Sequence, residues 1–198
     1  MIEKFTLAGT IVFTLTFLIV IVRAIVARQH FIGQPSVPVP FFVLGKSLAF
    51  ISVSFLPLRG LNVGIGRVYS PLLAIDIIAL FILFAGISIV IISAIQLNQN
   101  LIFGLSTSDS HCLQTRGLFS VSRHPFYMGF LLIVVSSCLL MPNVINIISL
   151  IVSWIIHHFI MINEEKHLQK LYGFEYKQYA NRVNRYLTLF NRKKSVIF

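Results

Sequence analysis

Long, mostly apolar runs dominate the chain, and short polar segments separate them. Five runs stand out, at residues 5–22, 41–58, 72–97, 125–141 and 144–162. A helix needs about 20 mostly apolar residues to cross the hydrocarbon core of a bilayer. The pattern therefore predicts an all-α integral membrane protein with five transmembrane helices.

The two ends of the last apolar run predict further features. Only Pro142 and Asn143 separate the last two runs, which favours a tight helical hairpin and leaves open whether residues 125–141 cross the whole bilayer. After residue 162 the sequence "NEEKHLQKLYGFEYKQYANRVNRY" places Leu168, Leu171 and Tyr172 at helical spacing, with basic residues between them. This pattern predicts a C-terminal amphipathic helix on the membrane surface, broken at Gly173.

Composition supports a single membrane domain over residues 1–198. Of the 198 residues 57% are hydrophobic and 11% are charged, which is far from the average of soluble domains. The first run is too long for the core of a signal peptide, and no small-residue cleavage site follows it, so we expect it to be retained. Cys112 and Cys138 have neither disulfide nor metal-site spacing, and no bound metal is expected.

The distribution of positive charge predicts the orientation. The formal net charge is +10, but the basic residues are not interleaved with exposed aromatic residues on a soluble fold, so nucleic acid is not an expected partner. With five spans, thirteen Lys and Arg fall on one side and three on the other. Because basic flanks stay in the cytoplasm, we expect a multi-pass protein with a cytoplasmic 98–124 loop and C-terminal tail, and an outside N-terminus.

A polar segment, "SVSRHPFYMGF", begins the fourth apolar run. Pro125 disfavours a helical His124, so the helix should start at the proline and present free N–H groups and a partial positive charge beside Arg123. These groups suit an anion. The alternative is an ordinary helix start with a basic anchor at the membrane face.

Two adjacent carboxylates, Glu164 and Glu165, follow the fifth run. Carboxylates are unfavourable at the C-terminal end of a helix, so the pair calls for a cationic partner. That partner is Lys166, Lys170 or Arg123, or it is the ammonium or sulfonium of a ligand. An anion site beside a cation site suits a zwitterionic amino-acid group such as that of S-adenosylmethionine.

Two separated motifs, "HCLQTRGLFSVSRHPFY" at 111–127 and "EEKHLQKLYGFEYKQY" at 164–179, carry a family resemblance. Together they resemble the integral-membrane isoprenylcysteine carboxyl methyltransferases, in particular the small prokaryotic five-span members. Residues 95–183 carry most of this match. The resemblance implies a methyltransferase that uses S-adenosylmethionine, with a cofactor-binding part at residues 98–185.

The resemblance also implies roles for individual residues. The segment 111–114 and Phe119 would line the adenosine, residues 123–127 would form the polar cradle, and Glu164 would bind the methionine ammonium. Glu165, Tyr176 and Tyr179 would support the site. The implied cofactor-binding residues are His111, Cys112, Leu113, Gln114, Phe119, Arg123, His124, Pro125, Phe126, Tyr127, Glu164 and Glu165.

Some positions depart from the family pattern. Phe119 stands where family members usually have tyrosine, and Ile160 stands where they have an arginine thought to orient the substrate carboxylate. His157 lies seven residues before Glu164 on the same helix face, which makes it a candidate catalytic residue, either as a base or as a hydrogen-bond donor. Its alternative role is a hydrogen bond to another helix, or a side chain that extends toward the membrane surface.

These observations favour methyl transfer to an amphiphilic or membrane-embedded acceptor. The expected partners are the lipid bilayer and an amphiphilic small-molecule or lipidated acceptor. An isoprenylcysteine-type carboxylate is the acceptor that the resemblance favours, and a thiol or a lipid amine is the alternative. An NADPH-dependent sterol reductase and a non-enzymatic membrane scaffold are the competing functions.

Overall fold

Five α-helices form the framework of the protein in a computed structural model that describes residues 1–26, 34–64, 72–97 and 112–188. Each apolar run of the sequence falls on one of them. A short 3-10 helix, Gly117–Ser120, precedes the fourth. The helices are α1 (Ile2–Val26), α2 (Val39–Gly60), α3 (Leu73–Leu97), α4 (Pro125–Leu140) and α5 (Val144–Arg182).

The prediction of an all-helical protein with five apolar helices is confirmed. By length and composition α1, α2, α3 and α5 can each cross a membrane. The remaining helix, α4, has 16 residues. At 1.5 Å per residue it extends about 24 Å, which is less than the roughly 30 Å of a hydrocarbon core. Four spans are therefore supported by length, and the crossing by α4 stays a prediction.

Close backbone approach holds α4 against α3. A Cβ on Gly129 would lie 2.8 Å from the Gly86 carbonyl oxygen, and a Cβ on Gly86 would lie 2.8 Å from that of Gly129. Small residues at facing positions allow such contact between helices in a membrane. Ile133 and Leu83 are fully buried in the same core. The helix pair α3–α4 is accordingly the most extensive contact between elements of the described chain.

The predicted reversal between the last two helices is present at residues 141–143. The Asn143 side chain caps α5 by accepting a 2.8 Å hydrogen bond from the Asn146 amide. The two helices do not form the tightly packed pair that the short turn suggested, because α4 packs mainly on α3 and α5 packs mainly on α2. They therefore diverge from the turn.

The last helix is longer than its apolar run. It continues past residue 162 to Arg182, with a break at Gly173, where φ is 51° and ψ is −116°. The predicted break is thus confirmed. Beyond it, Tyr176 and Tyr179 are buried with Val183 against Leu113 and other residues. Part of the predicted membrane-facing side is therefore covered by protein, and contact of this segment with the bilayer stays a prediction.

An ion cluster whose Arg59 and Asp76 are buried joins the first three helices at the opposite end of the bundle. Arg59 donates to Glu3 at 2.9 Å and to Asp76 at 3.0 Å. The sequence pattern assigns Arg59 to a connecting loop, but α2 extends to Gly60 and buries its side chain. Asp76 is thus paired within the bundle, far in sequence from the two motifs.

Candidate functional site

The "RHP" segment begins α4 as the sequence predicts. His124 is the residue before the helix, with φ −130° and ψ 57°, and Pro125 is the first helical residue. Both residues are buried. The His124 amide donates to the Ser122 hydroxyl at 3.1 Å. The prediction of a helix start at Pro125 is confirmed. This helix start sets the directions of the Arg123 and His124 side chains.

Glu165 accepts hydrogen bonds from two arginines and a histidine. Arg185 donates to its two oxygens at 2.7 and 2.8 Å, Arg123 Nη2 donates at 3.0 Å, and His124 Nε2 donates at 3.2 Å. Burial alone would raise the pKa of this carboxyl, but the hydrogen bonds from His124 and Arg185 and the charge of Arg123 hold it at about 2. Glu165 is therefore an ionised anchor for the segments that meet around it.

Arg123 is held by protein groups. Besides Glu165 it contacts the Ala180 carbonyl oxygen through Nη1 at 3.2 Å. Its Nε atom is buried and has no hydrogen-bond partner among the described residues. The guanidinium expected to attract an anion is thus largely committed to Glu165, and Nε is left for a further contact.

Glu164 faces a different set of groups. Its Oε1 accepts a 2.7 Å hydrogen bond from the Tyr127 phenol, and its Oε2 lies 3.8 Å from His124 Nδ1. Burial raises the pKa of Glu164 above its ordinary value, although His124, Tyr127 and Lys46 act in the opposite direction. A ligand cation beside this carboxylate would favour its charged form.

The segment after residue 111 folds over the C-terminal half of α5. The Tyr179 phenol donates to the Phe119 carbonyl oxygen at 2.7 Å, and Leu113 packs against the cluster of Tyr176 and Tyr179. Phe119 is buried and Gln114 is half-buried, whereas Cys112 is exposed. Of the expected adenosine-side residues, the structure thus brings Leu113 and Phe119 beside α5. His111 lies outside the described residues.

The chain after α5 returns to the start of α4 and closes the site. The Arg123 amide donates to the Asn184 carbonyl oxygen at 3.0 Å, and the Thr188 amide donates to the Val121 carbonyl oxygen at 2.8 Å. The Ser122 hydroxyl donates to the Arg185 carbonyl oxygen at 3.0 Å. The sequence reasoning missed Arg185 as a site residue, because nothing in "RVNRYLTLF" indicates a partner twenty residues earlier.

An apolar cavity lies next to this polar site, where α4 and α5 diverge. Its volume is about 20 Å³, and part of it is open to the surroundings. Its lining comes from α2, α4 and α5 and includes Ala49, Tyr127, Phe130, Ser153, Trp154 and His157. Tyr127 belongs to both places, since its hydroxyl bonds Glu164 and its ring lines the cavity. Phe126 lies beside it, with an edge-to-face ring contact at 6.5 Å.

His157 occupies the wall of the cavity. Its ring centroid is 5.7 Å from that of Tyr127, and its Nδ1 lies 2.7 Å from the Ser153 carbonyl oxygen. A carbonyl oxygen only accepts, so Nδ1 carries the proton of this hydrogen bond. In the neutral ring Nε2 is then an acceptor. His157 therefore presents a proton acceptor rather than a donor.

Lys46 is a second residue whose role the sequence reasoning missed. It counted only among the basic residues of the predicted cytoplasmic side, yet it lies within α2, with Nζ 5.2 Å from the Tyr127 ring centroid. A charged residue inside a span is by default a functional candidate. Its position inside the second apolar run could have indicated such a role.

The described residues contain no group of three or more His, Cys, Asp or Glu side chains placed to hold a metal ion. The titratable residues instead pair with one another around Arg123, His124 and the two glutamates.

Comparison with known proteins identifies the family of this site. The family described as phospholipid methyltransferase matches residues 75–175, which run from α3 to α5. The match includes the whole motif at 111–127 and most of the motif at 164–179. The chain belongs to the phospholipid methyltransferase family. The prediction of membership among membrane methyltransferases is confirmed.

Similar proteins within this broad group carry isoprenylcysteine methyltransferase names. Protein-S-isoprenylcysteine O-methyltransferase B of Arabidopsis thaliana is 34% identical over 76 residues, which are 38% of this chain and 39% of that protein. The probable enzyme of Oryza sativa subsp. indica is 32% identical over 77 residues, 38% of this chain and 40% of that protein. The enzyme of Dictyostelium discoideum is 36% identical over 76 residues, which are 38% of this chain and 32% of that protein. The match thus spans two fifths of these relatives' length or less.

Proposed function

We propose that this protein transfers a methyl group from S-adenosylmethionine to a membrane-embedded amphiphilic acceptor. The observation that carries the proposal is the hydrogen bond from Tyr127 to Glu164, because it joins a carboxylate suited to a ligand cation with an apolar cavity suited to an acceptor. The family and the names of the relatives favour the same chemistry.

The residues around Glu164 fit the polar part of the cofactor. Glu164 offers a carboxylate to the methionine ammonium, and the start of α4 offers backbone N–H groups to a carboxylate. Two buried polar atoms, Arg123 Nε and Tyr176 Oη, have no hydrogen-bond partner in the described chain and are available to a ligand. Leu113 and Phe119 supply apolar contacts beside them.

When bound, S-adenosylmethionine supplies an activated methyl group on a positively charged sulfur. The protein's task is then to align the acceptor and exclude water, and proximity with correct orientation can contribute about 7–11 kcal/mol. The Tyr127 hydroxyl holds the Glu164 carboxylate in place by a hydrogen bond, and the Tyr127 ring forms part of the cavity wall. The 112–121 segment and the chain from Val183 to Thr188 cover the polar side.

The apolar lining of the neighbouring cavity favours an acceptor that carries a hydrocarbon group. This lining comes from α2, α4 and α5, and α2 and α5 are long and apolar enough to cross a membrane. The relatives named above are isoprenylcysteine O-methyltransferases, so a prenylated cysteine carboxylate is the first acceptor to test. We further propose that α4 crosses the bilayer as the fourth of five spans and that the site faces the cytoplasm, as the basic residues predict.

A thiol or lipid amine is the second candidate acceptor, and His157 is the observation that favours it. Both nucleophiles lose a proton during methylation, and His157 Nε2 is available in the accepting state at the cavity wall. A carboxylate needs no such base.

Transfer of a radiolabelled methyl group tests the proposal. Purified protein in detergent is incubated with labelled S-adenosylmethionine and one acceptor in each of three separate reactions. The acceptors are N-acetyl-S-farnesylcysteine, a long-chain thiol and phosphatidylethanolamine. We expect label in one acceptor, and loss of most of it with Glu164→Gln. The matched control is Glu175→Gln, which changes an exposed glutamate of the same helix. A folded wild type that labels none of the acceptors would contradict the proposal.

A further inference from the structure

Trp154 is the largest side chain in the wall of the cavity next to Tyr127. The volume of this cavity is about 20 Å³, and a cavity needs about 10–15 Å³ to hold a single water molecule. A prenyl or long alkyl group is much larger, so it enters only if part of the wall moves. The wall residue that can move therefore decides how large an acceptor group the site admits.

Hydrogen bonds fix the polar wall residues near Trp154. The Tyr127 hydroxyl donates to Glu164 at 2.7 Å, and His157 Nδ1 donates to the Ser153 carbonyl oxygen at 2.7 Å. Trp154 takes part in neither hydrogen bond, and its side chain is half-buried. Its indole can therefore rotate away from the cavity while both hydrogen bonds stay intact.

Tyr186, in the segment after α5, holds the Trp154 ring in place. The centroids of these two rings are 5.3 Å apart, and the angle between the ring planes is 39°. The Tyr186 ring also stacks on that of His158, with centroids 5.9 Å apart and an angle of 15°, and its hydroxyl is hydrogen-bonded to His158 Nδ1. Trp154 and His158 are four residues apart and share a helix face, so one tyrosine contacts both.

The polar side of the site anchors Tyr186. Its neighbour Arg185 donates to the two oxygens of Glu165 at 2.7 and 2.8 Å. The Asn184 carbonyl oxygen accepts a 3.0 Å hydrogen bond from the Arg123 amide. The segment after α5 therefore contacts the polar site through Arg185 and the cavity wall through the ring of Tyr186.

We propose that Trp154 determines the size of the acceptor group that the site accepts, and that Tyr186 is the positioning residue that keeps Trp154 in the closed position. This inference rests on the proposed methyl transfer. Acceptors with a short hydrocarbon group react while the Trp154 ring stays in place, whereas longer groups have to displace it from Tyr186. The chemistry of the reacting group does not enter, so the inference holds for a carboxylate, a thiol or an amine.

Three series of acceptors of increasing length test this role. They are N-acetylcysteine with an S-prenyl, S-geranyl or S-farnesyl group, the thiols butanethiol, octanethiol and dodecanethiol, and phosphatidylethanolamines with hexanoyl or oleoyl chains. In the series that is methylated, kcat/KM is measured for the longest and the shortest member, and their quotient is the length ratio.

The variants are Trp154→Ala, Tyr186→Leu and Tyr186→Phe. The control Ile155→Ala changes an exposed apolar residue next to Trp154. Calorimetry of S-adenosylmethionine binding provides a separate cofactor readout, and thermal melting checks folding. A variant that only loses stability lowers kcat/KM for all acceptors alike and leaves the length ratio unchanged.

We expect Trp154→Ala to raise the length ratio by about tenfold or more, because added space in an apolar pocket favours the larger group. Tyr186→Leu removes the ring contact and should raise the ratio in the same direction. Tyr186→Phe keeps the ring and should have the wild-type ratio, as should Ile155→Ala. The Kd of S-adenosylmethionine should be unchanged in all four proteins.

Fluorescence gives a second readout that needs no methyl transfer. Trp154 is the only tryptophan of the chain, so the emission reports on this residue alone. Without S-adenosylmethionine, the longest acceptor should shift the emission of the wild type in a saturable way, and the shortest acceptor should shift it much less. Tyr186→Leu should shift the emission before any acceptor is added.

Contrary outcomes are distinguishable. Methyl transfer with an unchanged length ratio in Trp154→Ala, or an emission that no acceptor alters, would overturn the role of Trp154 and leave the methyltransferase proposal standing. A Tyr186→Leu protein with the ratio and the emission of the wild type would overturn the role of Tyr186. Absence of S-adenosylmethionine binding by the folded wild type would remove the proposed function and this inference with it.

Discussion

The phenol of Tyr127 donates a 2.7 Å hydrogen bond to Glu164, joining the start of α4 to α5 just beyond its apolar run. The two residues are 37 positions apart in sequence. Between them the chain turns at residues 141–143, and α4 and α5 diverge from this turn. This pair therefore lies at the wide end of the space between the helices. One side of it is polar and closed by the C-terminal segment, and the other side opens into the apolar cavity.

Replacement of Arg185 should loosen the cover of the site. Its two hydrogen bonds to Glu165 hold the segment after α5 against the start of α4. Arg185→Gln should lower the free energy of unfolding by about 1–2 kcal/mol, since charge-assisted hydrogen bonds of a partly exposed arginine are lost. Thermal melting in detergent measures this change. Arg182→Gln, which alters an exposed arginine three residues earlier, is the control, and equal melting of the two variants would contradict the expected role.

Stability should fall in acid because of Glu165. The pKa of this carboxyl is about 2 in the folded protein and 4.5 in the unfolded reference. A group whose folded pKa is lowered contributes stability that is present above its unfolded pKa and is lost as the pH falls from about 4.5 toward 2. Melting temperatures measured from pH 6 to pH 3 should therefore decrease, and Glu165→Gln should flatten the decrease. An unchanged slope in the variant would assign the acid sensitivity to other groups.

Added volume at Gly129 should disrupt the packing of α3 on α4. A Cβ there meets the Gly86 carbonyl oxygen at 2.8 Å, and backbone cannot move aside as a flexible side chain can. Gly129→Val should cost about 1–3 kcal/mol in stability. Ala85→Val, on the exposed side of α3, should cost much less. Similar melting temperatures for both variants would show that the close approach is not needed.

The role of His157 should depend on the acceptor. No proton leaves when a carboxylate is methylated, so His157→Asn should reduce kcat for a carboxylate by less than about tenfold. For a thiol or an amine the loss of a general base should reduce kcat by about 100-fold or more. Assays of the variant with each methylated acceptor separate the two cases. A large loss of kcat with a carboxylate acceptor would contradict this account, because His157 would then need a role other than that of a general base.

The helices were predictable from sequence because an apolar run of span length satisfies its backbone hydrogen bonds within a bilayer by forming a helix. Every predicted run became a helix, and the start of α4 at Pro125 followed from backbone restrictions alone. The extent of α5 was not predictable in the same way. Its apolar pattern ends at residue 162, but the following Glu, Lys, Gln and Leu residues favour helix as well, so the helix continues to Arg182.

Pairings between distant segments were the least predictable part. The motifs placed Arg123 and His124 at a helix start and the two glutamates at a helix end, and the structure brings the four residues into contact. The placement of the glutamates at a helix end was wrong, because α5 continues past them to Arg182. Which glutamate would pair with arginine, and which with tyrosine, depends on the rotation of α5 and on Arg185. Arg59 was overlooked because it follows the apolar run 41–58 and looks like a flank until the helix bounds are known. Lys46 lies within that run and was counted only in the charge balance.

The central claim is that Glu164 belongs to a binding site for S-adenosylmethionine, and calorimetric titration of the purified protein tests it most directly. We expect saturable binding by the wild type and at least tenfold weaker binding by Glu164→Gln, about 1.4 kcal/mol. Glu175→Gln should bind as the wild type does. A well-folded wild type that does not bind S-adenosylmethionine, or a Glu164→Gln variant with unchanged affinity, would contradict the account.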